Sequence, residues 1–246
     1  MSNQKIFQFR PQGASSVSCS VPQSDPIREL PDVPVLSGTL LSMELITCQG
    51  PVDLAQVSQL VLSDLGATLQ ILREAHREKV MGGGRIQRVE DCISGLGLDR
   101  CFEVMAKSLV TRSTHSASVY SAWHRAREIA VTSRFVAEKL AFNVSSEEAY
   151  LVGLAHGIGN LPQILEWDWI RHFGRNSDLA GLRIAEDWCL PHCIYEYFLD
   201  RVTCESQTQW TTIVDHALEL LESQPSALLR DEHIQFPFRS VQEISA

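Results

Sequence analysis

From Val35 to Leu221 the apolar residues recur at threes and fours, and they alternate nowhere over a length that would build a strand. The longest run, Ser116 to Leu140, carries one stripe at Ala126, Ile129, Ala130, Ser133, Val136, Ala137 and Leu140. A second stripe holds His124, Val131 and Phe135. A period of 3.6 places each stripe on one helical face, and two stripes make a helix touched on several sides. This periodicity rules out the sheet-based classes. It predicts an all-α chain of roughly ten or more helices with short connections.

The helix boundaries follow from caps and breakers. Leu30-Pro31-x-x-Pro34 is a rigid entry, because each proline fixes its own φ and restricts the residue before it. Helices are predicted over Val35–Cys48, stopped by Gly50-Pro51, and from Asp53 through Leu54 to Val61. Ser63 and Asp64 are N-cap types ahead of Leu65 to Ala75. Gly82-Gly83-Gly84 reads as a turn, since no Gly-Lys-Ser/Thr follows and no strand precedes it. Then come Val89–Ser94 and Leu98–Val110, the long helix, and Ser146–His156 with Glu147 and Glu148 in its first turn. Gly157 and Gly159 stop or bend that helix, and Leu161–Phe173, Asp178–Trp188, Pro191–Val202 and Thr211–Leu221 follow. The predicted organisation is a flexible tail over 1–26, a helical domain over 27–222 with lobes of about 27–112 and 113–222, and a tail over 223–246.

Charge and cysteine usage narrow the partners. Twenty-one Lys and Arg against 30 Asp and Glu leave a net charge of −9. Such a surface repels phosphate backbones and anionic lipid, so neither nucleic acid nor membrane is predicted as a partner. No run of apolar residues reaches transmembrane length. Seven cysteines at irregular spacings, with no secretory leader, read as reduced thiols in a cytoplasmic protein.

One segment carries most of the chemistry. Leu151-Val152-Gly153-Leu154-Ala155-His156-Gly157-Ile158-Gly159-Asn160-Leu161 sets a histidine at the end of an apolar helix, and Trp123-His124 lies 32 residues upstream of it. Two imidazoles on neighbouring helices can share a metal; a buried histidine bonded to a carbonyl is the commoner outcome. Cys189-x-x-His192-Cys193, with Cys204 nearby, offers zinc-ligand types at a spacing that matches no finger. Ser113-Thr114-His115-Ser116 is a polar cap without a nucleophile-elbow frame. Trp167, Trp169, Trp188 and Trp210 read as packing residues.

His124 on one helix, then a helix ending in His156-Gly157-Ile158-Gly159, resembles the core of the HD superfamily of metal-dependent phosphohydrolases. In that superfamily a first His, a His-Asp pair and a final Asp bind divalent metals. Here Gly157 stands in the carboxylate's place and Asn160 where Lys is frequent. In the Ile213–Leu218 stretch, Leu218 rather than Asp215 falls at the final ligand position. Leu30-Pro31-x-x-Pro34, Ser63 to Arg73, Ile86 to Leu98 and Trp188-x-Leu190-Pro191 resemble, in order, the segments of HDOD domains (HD-related output domains). The usual Asn-Ser after the second helix is here Glu74-Ala75-His76.

The resemblance implies an N-terminal helical lobe packed on an HD-like lobe, and a non-catalytic bacterial signal-transduction module acting through protein–protein interaction. It implies no cofactor, and a degenerate pocket of His124, His156, Gly157, Asn160 and Asp215. The alternative is a metal-dependent phosphohydrolase, a nucleotide or cyclic-dinucleotide phosphodiesterase, with His124, His156 and Asp215 as ligands and Asp178 or Asp187 as substitute carboxylate. Direct control of transcription fits poorly with the acidic charge and the lack of a basic helix. The partner is an unidentified signalling protein; association into a homo-oligomer, with Phe236 and Phe238 as contacts, stays open.

Overall fold

A buried carboxylate organises the first half of the molecule. In the computed structural model, which describes residues 31–48, 50–78, 88–108, 116–140, 142–167, 176–203 and 208–223, Asp64 is fully buried. It caps helix α3 (Leu65–Arg77) by accepting from the Ala67 N–H at 3.1 Å. The same carboxylate accepts from the Leu36 N–H and the Thr39 hydroxyl, both at 2.8 Å, and from the Trp123 indole at 2.9 Å. Those donors belong to the chain entry, to α1 (Ser37–Cys48) and to α6 (Ser116–Lys139). Burial pushes the carboxyl pKa up, and the four donors only partly offset it.

The entry segment is laid against α3. Val33 and Val35 are fully buried, the Val35 N–H donates to the Ser108 carbonyl at 2.6 Å, and the Gln70 amide donates to the Val33 carbonyl at 3.1 Å. Gly66 makes this possible, because a Cβ there would land on the Pro34 carbonyl. Helices α2 (Leu54–Leu62), α4 (Val89–Leu96) and α5 (Leu98–Lys107) complete the group around α3. Arg100 on α5 pairs with Glu74, Glu78 and Glu103.

Helix α6 packs most extensively on α7 (Ser146–Ala155). Gly153 lets the two backbones approach, since an added Cβ would lie 2.9 Å from the Ala130 Cα and 2.5 Å from the Ser133 hydroxyl. Ser145 caps α7 at the Glu147 N–H, and the Tyr150 hydroxyl donates to the Leu62 carbonyl at 2.9 Å, tying α7 to the end of α2. After a 3₁₀ turn, Ile158–Asn160, come α8 (Leu161–Ile164), α9 (Ser177–Asp187), α10 (His192–Thr203) and α11 (Gln209–Ser223). All described residues belong to one unit, Pro31–Ala246.

The fold is all-α, and no strand occurs among the described residues. Among them no helix is long and apolar enough to cross a membrane. The helix expected over Leu161–Phe173 is shorter. Glu166 adopts φ 52°, and the Trp167 N–H closes on the Pro162 carbonyl at 2.9 Å, a C-terminal capping turn that ends the helix. Cys189, at φ 48°, makes the corresponding corner after α9. The two corners present Trp167 and Trp188 edge to face, with ring centroids 6.3 Å apart and the Arg73 guanidinium 5.3 Å from the Trp188 ring. The tails (1–26, 224–246), Gly82–Gly84, Ser113–His115, Trp169 and Cys204 lie outside the described residues.

Asp200 joins α10 to α11. Its Oδ2 accepts from the Thr208 N–H at 2.8 Å and from the Thr208 and Thr211 hydroxyls. Desolvation alone would raise its pKa; those bonds and the neighbouring Arg201 charge hold it below the ordinary 3.8. A depressed native pKa means the unfolded chain takes up the proton first on acidification. The stabilisation from Asp200 is therefore full above the ordinary value and lost as the pH falls through the native one. In urea titrations the stability gap between native protein and Asp200→Asn should close as the pH drops below about 4. A gap constant from pH 7 to pH 3 would contradict this role.

Candidate functional site

The segment linking α7 to α8 brings His156 out of the helix. Its Nδ1 lies 2.8 Å from the Gly153 carbonyl, which can only accept, so Nδ1 carries the proton and Nε2 carries the lone pair. The side chain is partly buried. Burial lowers the imidazole pKa, the bond to Gly153 works against that, and the Arg125 and Arg201 charges lower it further. His156 is therefore neutral at pH 7.

The other expected site residues lie on α6, α9, α11 and the 3₁₀ turn. His124 sits on the outer face of α6 with 73% of its side chain exposed, 3.6 Å from Glu128. Asp215 on α11 lies 3.6 Å from Arg201, whose Nε donates to Asp178 at 2.9 Å. Asp187 pairs with Arg183 at 3.1 Å, and burial pushes its carboxyl up. Asn160 is exposed at the end of the 3₁₀ turn. Gly157 has φ −97° and ψ 6°, and an added Cβ would meet nothing nearer than the Asn160 amide nitrogen at 4.0 Å. No steric demand keeps it glycine. Gly159 differs, since a Cβ there would collide with the Ser177 carbonyl.

The α6 charge that helps lower the His156 pKa is that of Arg125. It is half-buried beside the buried Ala126, while His124 points away. Arg125 directly follows His124, the residue that the sequence singles out. The signal was present: Ala126, Ile129, Ala130 and Ser133 mark the buried face, and 125 lies at its edge, whereas 124 lies beyond it.

Among the described residues no three His, Cys, Asp or Glu side chains form a group that could hold a metal ion. His124, His156 and Asp215 thus make no such group. The Cys189–His192–Cys193 motif makes none either: Cys189 is exposed, His192 pairs with Glu196 at 2.9 Å, and Cys193 is buried with its thiol pushed up to about 12. The described residues do not fit the divalent metals of the resembled phosphohydrolases, because no such ligand group forms and the Arg125 and Arg201 charges already disfavour a positive charge at His156. What the arrangement can do is accept a hydrogen bond at a neutral imidazole. Trp123, next to His124 in the sequence, is buried and donates its indole N–H to Asp64.

Three comparisons bear on this geometry. The family model of the HDOD domain matches residues 33–166, more than half of the chain. The chain is similar in fold to two crystal structures of the MmoQ response regulator from Methylococcus capsulatus str. Bath. The first aligns with a TM-score of 0.60 at 20% identity, covering 87% of this chain and 97% of that one. The second, of a fragment of that protein, aligns with a TM-score of 0.60 at 18% identity, covering 85% and 92%. An HDOD domain protein of unknown function from Geobacter sulfurreducens is 20% identical over 89% of this chain and 80% of that one, with a TM-score of 0.36. No curated protein matches the chain.

Proposed function

The chain belongs to the HDOD domain family, and on that premise we propose that it is a non-catalytic signal-transduction module of the cytoplasm, working through contact with a protein partner. The observation that carries the reading is that His156 spends its Nδ1 proton on a backbone carbonyl and, among the described residues, belongs to no group of His, Cys, Asp or Glu side chains that could hold a metal. A hydrolase of the HD kind needs a metal to generate hydroxide at neutral pH. A neutral imidazole alone supplies no such nucleophile. The fold-level likeness to a protein described as a response regulator supports a place in signalling. The net charge of −9 favours a protein partner over a phosphate-bearing one.

The test is affinity capture from the native host with the full chain and with His156→Ala. The expected result is a defined protein partner, stoichiometric with the bait and held equally by both. Absence of any partner, together with phosphodiester turnover that depends on His156, would overturn the reading.

A further inference from the structure

Helix α1 is apolar on two opposite faces. Its inner face, Thr39, Leu40, Met43 and Ile46, is buried where the helix packs on α2 and α5. Its outer face carries Gly38, Leu41, Leu45 and Cys48, all exposed and spaced three and four apart, with each leucine 53% exposed. At about 100° per residue these four fall in one stripe, opposite the buried one. A helix packed on one side only carries polar residues on the other, so a second apolar face calls for cover of its own. Gly38 leaves one end of the stripe open, since nothing lies within 4 Å of an added Cβ.

The charge around the stripe has one sign. From Pro31 to Leu72 the chain holds no Lys, Arg or His, while it holds the acids Asp32, Glu44, Asp53 and Asp64. Asp64 is buried and Asp32 pairs with Arg73 at 2.9 Å. Glu44, at the edge of the stripe beside Leu45, and Asp53 are exposed and form no ion pair among the described residues. The size of the stripe limits what covers it. It is about 15 Å long and one helix, about 10 Å, wide, well short of the roughly 800 Å² per partner that a stable dimer buries. A single helix laid along it by a few apolar anchors fits that length.

We propose that the outer face of α1 is the docking site for a basic amphipathic helix of a partner protein, with Leu41 and Leu45 receiving its apolar side and Glu44 its Lys or Arg flank. The proposal rests on the protein-partner reading above and specifies the surface and the chemistry of the partner. Apolar contact supplies the affinity, and the acidic edge sets orientation and selects against acidic helices.

The experiment is fluorescence anisotropy on the full chain with two labelled synthetic helices of about four turns, at physiological ionic strength. One has leucines at helical spacing and lysines elsewhere; the other has glutamates in place of the lysines. The native protein should bind the Leu/Lys helix at least about tenfold tighter than the Leu/Glu helix, and at least about tenfold tighter than Leu41→Gln with Leu45→Gln binds it. That variant keeps the net charge of −9, so equal affinity for the Leu/Lys helix would reduce the binding to long-range attraction and overturn the proposal. Glu44→Lys should weaken the Leu/Lys helix and strengthen the Leu/Glu one; no change in either also overturns it. Both variants should melt with the native protein, because the substituted side chains are exposed. A clear loss of stability in the leucine variant would mean that the chain itself covers the stripe, against the proposal. Sedimentation in which the native chain self-associates and the leucine variant does not would assign the stripe to a second copy, also against it. None of these outcomes touches phosphodiester turnover, so this proposal and the non-catalytic reading fail separately.

Discussion

Asp64→Ala is expected to cost about 3–5 kcal/mol, because it takes the acceptor from four neutral donors and the N-cap from α3. The four donors on Asp64 come from Leu36, Thr39, Ala67 and Trp123, with sequence separations up to 59 residues. Truncation leaves those donors inside the protein without an acceptor, and each such loss costs roughly 1–3 kcal/mol before the sites relax. It also strips α3 of its N-cap, by itself worth about 0.5–2 kcal/mol. Asp64→Asn is the sharper variant. It keeps the shape but turns one oxygen into an NH₂, which then faces N–H or O–H donors. Urea unfolding followed by circular dichroism should show both variants with a much lower midpoint. A shift of Asp64→Ala below about 1 kcal/mol would show that the cluster contributes no more than an ordinary hydrogen bond.

Gly159→Ala should approach that effect, and Gly157→Ala two residues away should not. At Gly159 the new methyl would meet the Ser177 carbonyl at the start of α9 and the Gly181 nitrogen at 3.0 Å. Both are backbone, so the collision is relieved only by moving α9 off the 3₁₀ turn. Overpacking of this kind costs about 1–3 kcal/mol, and more where backbone must shift. At Gly157 the methyl enters open space at an ordinary φ. That substitution removes freedom from the unfolded chain and should stabilise by about 0.4–1 kcal/mol. Equal melting temperatures for the two variants would contradict the packing described here.

The helices were legible because their apolar residues keep the 3.6 period, and ends such as Cys48 and Leu96 are marked by Gly and Pro nearby. The end of α8 was not legible. Ile164, Leu165 and Trp167 continue a helical pattern, while the turn at Glu166 depends on a backbone bond between Trp167 and Pro162. Asp64 could be read as a cap from its place before Leu65. Its bonds to Leu36, Thr39 and Trp123 could not, because local sequence does not encode which distant donors a fold delivers to one carboxylate. The His156 segment shows the same division. His156 and Gly157 stand out in the sequence, yet His124 lies on the exposed face of α6. A one-residue step along a helix turns a side chain by about 100°, so only the packing face decides which of two neighbours looks inward.

The central claim is that this HDOD chain works without catalysing hydrolysis. The measurement that tests it most directly is a turnover assay of the full chain on nucleotides, cyclic dinucleotides and generic phosphodiesters, with Mn²⁺, Mg²⁺ or Fe²⁺ supplied, beside His156→Ala. The account predicts product formation no faster than in buffer and no difference between the two proteins. Multiple turnovers by the native chain that disappear in His156→Ala would contradict it.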